Sequence, residues 1–204
     1  MDRAAACAIL LAVPVLALAF YVGTRTFSPF WGYGAALAFY WFCVLLPLIL
    51  WRRGFQKVRF ALTPPARWLT VLNILPVLVV AGVAATALSQ TPVAVHVLAA
   101  VCVAAILNGT LEEVFWRGTL LQDDASYAEQ IGQIVLFTGW HIALLFAAGV
   151  VVTGGPVALL GGAAMGGVLW TLARMQTGTI GFCILCHIGL NLFAFTELAT
   201  KNAV

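Results

Sequence analysis

The feature that most constrains the fold is a succession of apolar runs separated by short polar connectors. A spanning helix needs about 20 mostly apolar residues. The first candidate covers Ala4 to Gly23, and its apolar core is too long for a cleaved signal peptide, so it reads as a retained span. The second runs from about Phe30 to Trp51 and leads into the one basic stretch, Arg52 to Phe60, whose cations interleave with Phe55, Val58 and Phe60 as in a segment at headgroup level. Thr63 and Pro64 read as a helix cap and first turn, with the third span from near Trp68 to Ser89. The fourth runs from Val93 to about Leu121. Ser126 and Glu129 have capping-box spacing, which starts a fifth helix near Tyr127 that reaches about Val152. The sixth, from Pro156 to Ala173, carries Gly162 and Gly166 four apart, the pattern of a packing element. The seventh covers about Thr179 to Leu198.

Only 8% of the residues are charged and 63% are apolar, which excludes a water-soluble domain of 204 residues. No solenoid period and no linker divide the chain. The expected fold is therefore all-α: a single transmembrane domain over 1–204, a polytopic helix bundle of about seven spans, six to eight. A net charge of +3 says nothing for nucleic acid, but the placement of the cations is informative. Strict alternation puts Arg3, Arg52, Arg53, Lys57, Arg59, Arg67, Arg117 and Arg174 at one end and only Arg25 and Lys201 at the other. Positive charge favours the cytoplasmic side, so the amino terminus is expected inside and the carboxyl terminus outside. Five cysteines in apolar runs do not form a disulfide framework, and Cys183 and Cys186 next to His187 lack the second ligand pair of a zinc site.

Against this apolar background one stretch is anomalous. Asn108-Gly-Thr-Leu-Glu-Glu-Val-Phe-Trp-Arg-Gly-Thr-Leu120 places two adjacent carboxylates and an arginine at the end of an uncharged helix. Each ionised carboxylate at a helix centre costs about 2.5–3.5 kcal/mol on insertion scales. Ionisable groups within spans are functional-site candidates by default. Glu113 and Arg117 are four apart and share a face, whereas Glu112 lies about 100° around the helix, free to face a cavity. A structural helix-end pair is the competing reading for Glu113 and Arg117. Two further spans carry His141 behind Phe137, and His187 one turn before Asn191. Helix rise puts Glu112, His141 and His187 about 12, 18 and 14 Å from the cytoplasmic ends, at similar depth in the cytoplasmic half. Asn73 and His96 have no such partners and read as structural.

A desolvated carboxylate beside a histidine can activate water, and a second histidine with an amide can stabilise an oxyanion. The residues thus support a water-activating peptidase without singling it out. A non-catalytic scaffold or bacteriocin-immunity protein that binds a membrane partner is the alternative. An ion or metal transporter would show internal repeats, and none is evident.

Glu-Glu-x-x-x-Arg (112–117), Phe-x-x-x-His (137–141) and His-x-x-x-Asn (187–191), in that order and each in a predicted span, resemble the CPBP family. These are the CAAX-protease and bacteriocin-processing (Abi) membrane proteins, which include the Ras-converting CAAX endopeptidase. The resemblance spans a motif-bearing core at about 93–198. It implies a glutamate-dependent intramembrane endopeptidase in which Glu112 and His141 activate water and His187 and Asn191 form the oxyanion hole. Glu113 and Arg117 would order the site. It implies a peptide or membrane-anchored protein substrate cut near the cytoplasmic face, in a hollow open to the cell interior. A chain without large soluble insertions resembles the prokaryotic branch, hence a prokaryotic cell membrane. No cofactor is expected; zinc at Glu112, His141 and His187 is the less favoured alternative, because no His-Glu-x-x-His motif is present.

Overall fold

In a computed structural model, which describes residues 1–203, the chain is a bundle of seven helical rods without strands among the described residues. They are α1 (Arg3–Thr26), α2 (Pro29–Trp51), α3 (Arg67–Gln90), α4 (Val95–Thr119), α5 (Tyr127–Trp140, continued by a 3₁₀ segment His141–Phe146), α6 (Gly155–Thr177) and α7 (Gly181–Asn202). Six of them, all but α5, are long and apolar enough to cross a membrane. Their exposed faces carry Leu11, Leu18, Leu72, Leu78 and Val103, side chains that water would not tolerate in such number but lipid does. The chain is a multi-pass membrane protein.

The charge asymmetry has a structural counterpart. At one end Asp2 caps α1, accepts from Arg52 Nε at 2.7 Å and lies 3.9 Å from Lys57. The amino-terminal ammonium pairs there with Glu129, and Arg174 pairs with Asp123. Glu129 also closes the capping box that its spacing to Ser126 predicts. The ammonium, followed by the Ser126 backbone and hydroxyl, holds the Glu129 carboxyl down at about 2. Burial raises the Asp2 carboxyl, but hydrogen bonds from Arg52 and the Ala5 N–H, with the charges of Arg52 and Lys57, outweigh it and leave it below its usual range. This is called the basic end below, and the Arg25 and Lys201 end the far end.

Several boundaries differ from the sequence reading. No cap forms at Thr63 and Pro64; residues 58–66 form no helix and α3 starts at Arg67. The segment is instead tied to its neighbours: Ile180 N–H donates to the Arg59 carbonyl at 3.0 Å, and Gln176 accepts from Ala66 N–H at 2.6 Å. Helix α5 stops at Trp140 rather than near Val152. The tighter 3₁₀ winding lengthens the rod per residue, so 127–146 still rises about 33 Å. It arrives at the far end, where Ala148 N–H donates to Thr24 Oγ1 at 2.8 Å. The sixth helix uses its glycines in two ways. Gly167 lies against Phe137 and Ile134, and Gly166 leaves room for the Trp170 ring, while Gly161 and Gly162 face open space.

Two helices decide where the site forms. Helices α4 and α7 run antiparallel and touch at Gly109, where a Cβ would come within 2.8 Å of the Ile188 backbone nitrogen. Only a glycine allows that approach, and it brings the carboxylates of α4 to the histidine of α7. Helix α3 closes on the other side of α7, with Val77 3.1 Å from the Cβ position of Gly189.

Candidate active site

Glu112, Glu113 and Arg117 are completely buried. Immediately after Glu113 the helix widens into a π-turn over Val114–Thr119, with Leu120 N–H bonded to the Phe115 carbonyl at 2.8 Å and the Thr119 hydroxyl to the Val114 carbonyl at 3.0 Å. Such wide turns occur preferentially at functional positions. Arg117 reaches back to Glu113 Oε1 at 3.0 Å, and its guanidinium lies 4.2 Å from the centre of the Phe137 ring and 5.3 Å from that of Trp170. A charge so far from water is held by its counter-ion and by aromatic faces.

His187 links the two carboxylates. Its Nδ1 lies 2.8 Å from Glu113 Oε1 and its Nε2 3.4 Å from Glu112 Oε2. With Nδ1–H donated to Glu113, a lone pair on Nε2 would face a carboxylate oxygen, and the two repel unless a proton sits between them. Trp170 stacks on the imidazole at 4.0 Å and fixes its plane. Trp170 in turn accepts at its carbonyl from the Cys183 thiol at 3.3 Å, which is where one half of the Cys-x-x-Cys pair is used. All five cysteines are free.

His141 stands at the junction of α5 and its 3₁₀ continuation. Its Nδ1 is 2.8 Å from the Phe137 carbonyl, an acceptor only, so Nδ1 carries the proton and Nε2 is left with a lone pair. The Phe137 ring lies between the two histidines, 4.9 Å from His141 and 6.3 Å from His187. Asn191, one turn after His187, is buried and its Nδ2 has no partner. Both oxygens of Glu112 also lack a hydrogen-bond partner. Buried polar atoms are nearly always satisfied, so each of these groups has capacity for a partner that enters the site.

That space exists. A cavity of about 390 Å³ is lined by His141, His187 and Asn191 and by apolar walls from α3, α6 and α7. It departs from the sequence reading in its direction. Toward the basic end the structure is solid: Val114, Phe115, Trp116, Arg117 and Leu120 have no exposure, and Val58 of the connector packs onto Gly118. The lining continues the other way, to Val152, Thr153, Glu197 and Leu198 at the far end. The hollow therefore does not open on the face of the basic segment, although its polar groups sit in that half of the bundle. On one side the wall thins toward lipid, where Val83 and Met165 line it while 43% and 41% exposed.

Of the six residues marked by sequence, Glu112, Glu113, Arg117 and His187 meet directly, His141 is joined to His187 through the Phe137 ring, and Asn191 shares only the cavity lining with the two histidines, a lining to which Glu112, expected to face the cavity, does not contribute. Asn73 and His96 lie elsewhere: Asn73 donates to the Leu69 carbonyl within α3, and His96 is exposed beside Trp31. Sequence reasoning passed over Asn108, which lines the cavity one turn before Glu112, its Oδ1 held by the Trp41 indole at 2.7 Å. The four-residue spacing to Glu112 was the available signal. It also passed over Glu197, which lines the cavity at the other end.

For zinc, the donors do not fit. Among the described residues no group of three His, Cys, Asp or Glu side chains is arranged to hold a metal ion. His187 already directs one nitrogen at each glutamate, and His141 spends Nδ1 on a carbonyl.

No curated protein and no solved structure matches the chain. The family model described as type II CAAX prenyl endopeptidase Rce1-like matches residues 92–193, half of the chain, an interval that holds all six of these residues. With that match over α4 to α7, the chain belongs to the type II CAAX prenyl endopeptidase Rce1-like family.

Proposed function

We propose that the protein is a glutamate-dependent intramembrane endopeptidase that hydrolyses a peptide bond within the bundle. The observation that carries the reading is the buried Glu112 carboxylate, without a hydrogen-bond partner and 3.4 Å from Nε2 of His187, whose ring lines the cavity together with His141 and the unpartnered Asn191 amide. Glu112 takes a proton from water while the free Nε2 of His141 orients that water. The hydroxide adds to the peptide carbonyl carbon. The oxyanion receives hydrogen bonds from Asn191 Nδ2 and from Nε2–H of His187 in its imidazolium form, which the Glu113 carboxylate at Nδ1 stabilises. Glu112 then delivers its proton to the departing amine. Each general-acid–base step of this kind contributes about 10²–10⁴ in rate.

Apolar walls and a lipid-facing side suit a membrane-anchored or hydrophobic peptide substrate. If the eight-cation end faces the cytoplasm, as the charge rule requires, the bond is cut in the cytoplasmic half of the membrane.

The test is cleavage of quenched fluorescent peptides by purified protein in liposomes. Glu112→Gln keeps the size and the packing, so it folds, and it lowers kcat about 10²–10⁴-fold. Undiminished cleavage by folded Glu112→Gln protein overturns the assignment and favours a binding role. Treatment of the wild type with a zinc chelator leaves the rate unchanged; loss of activity, restored by zinc, overturns the metal-free mechanism.

A further inference from the structure

Glu197 is a carboxylate at the far end of the cavity, and it is the only acidic residue among those that line the space. The residue is 7% exposed, in a wall otherwise formed by Val152, Leu159, Ala194 and Leu198. It accepts from the Thr153 hydroxyl and from Lys201, whose Nζ lies 2.9 Å away and whose side chain is 37% exposed. Fastening the loop at 147–154 does not require it. Asn202 already clasps both polar groups of the Val151 backbone, accepting its N–H at 2.8 Å and donating to its carbonyl at 2.9 Å. The cavity thus has two polar ends joined by an apolar barrel, and the second carries a carboxylate whose counter-ion is the part-exposed Lys201.

We infer that Glu197, with Thr153, is a specificity-determining site that receives a cationic group of the substrate, a lysine, an arginine or a terminal ammonium, about three residues from the cleaved bond. This rests on the endopeptidase reading above. The spacing follows from the helix: six residues separate Asn191 from Glu197, or about 9 Å of rise. An extended peptide advances about 3.3 Å per residue, so the third residue from the scissile carbonyl reaches the carboxylate. Lys201 occupies this position in the free protein. Being part-exposed, it is rehydrated on leaving the carboxylate, so a substrate cation replaces one charge-assisted hydrogen bond with another. The entering ammonium gains a hydrogen bond to a carboxylate in apolar surroundings, where such a bond is strong.

The experiment scans lysine, arginine and the neutral isostere norleucine through each position within five residues of the cleaved bond, using the liposome assay. Wild type shows a kcat/KM ratio of about tenfold or more for the cation over norleucine at one position, the scale of one charge-assisted hydrogen bond. Glu197→Gln brings that ratio within about twofold. Lys201→Met, which removes the internal competitor, raises it, and this second variant decides the matter should Glu197→Gln fail to fold. A wild-type enzyme that cleaves without preference at every position, or a Glu197→Gln ratio equal to wild type, overturns the inference and leaves the peptidase standing. Absence of Glu112-dependent cleavage of any peptide removes the peptidase reading, and the inference falls with it.

Discussion

Arg117 carries the heaviest electrostatic load of any single side chain. It neutralises Glu113, donates to the Gly167 carbonyl at 3.4 Å and lies over Phe137, all without access to water. Removing one member of such a pair strands the other charge, a loss of about 3–5 kcal/mol. Arg117→Met is therefore expected to lower the thermal unfolding midpoint sharply and to reduce the yield of monodisperse protein, whereas Glu112→Gln does neither. Size-exclusion chromatography with a thermal melt in detergent separates the two. Much of this was legible in the sequence. Charges in an apolar run are conspicuous, and four-residue spacing pairs Glu113 with Arg117. The link from Glu113 to His187 was not, because 74 residues separate them and nothing local encodes a contact between helices. Glu197 was invisible for a related reason: a carboxylate near a helix end, one turn before a lysine, looks like a surface ion pair until the cavity behind it is seen.

Elements were legible as spans but less so in their winding. Apolar length fixes the existence of a helix, since backbone groups in lipid must bond within their own segment. It does not say where a helix becomes π or 3₁₀. The π-turn at Val114–Thr119 and the 3₁₀ segment at His141–Phe146 both adjoin site residues, and side-chain bonds to the backbone, from Thr119 and His141, accompany each change. The Thr63–Pro64 cap failed to form because residues 59–66 bond to the start of α7 and the end of α6 instead of to a helix of their own. The contact of α4 with α7 at Gly109 sets the depth at which Glu113 meets His187. Gly109→Ala forces the two backbones apart by a fraction of an ångström, an overpacking change of about 1–3 kcal/mol. Its expected signature is a folded protein of lower melting temperature whose kcat falls further than its KM rises. A wild-type kcat would show that the approach is not needed for the chemistry.

At the scale of the whole molecule, one end is sealed, cationic and tied by ion pairs from Met1, Asp2 and Arg174, while the other is held by the Asn202 clasp and a glycine-bounded loop. On the orientation that the charge rule favours, the sealed end faces the cytoplasm. Single cysteines at Ser126 and Thr153, in a background lacking the five native cysteines, are then expected to react with a membrane-impermeant maleimide from opposite sides, Thr153→Cys from outside in intact cells. The reverse pattern overturns the orientation without touching the site. His187 stands at the closed end of the cavity, and further along α4 toward the basic end lie Trp116 and Leu120, both without exposure. A chain threaded into the cavity finds no exit beyond the cut. On the peptidase reading, both halves of a cleaved strand leave by the side from which they entered, so each turnover ends in a retreat, and leftovers from one round obstruct the next.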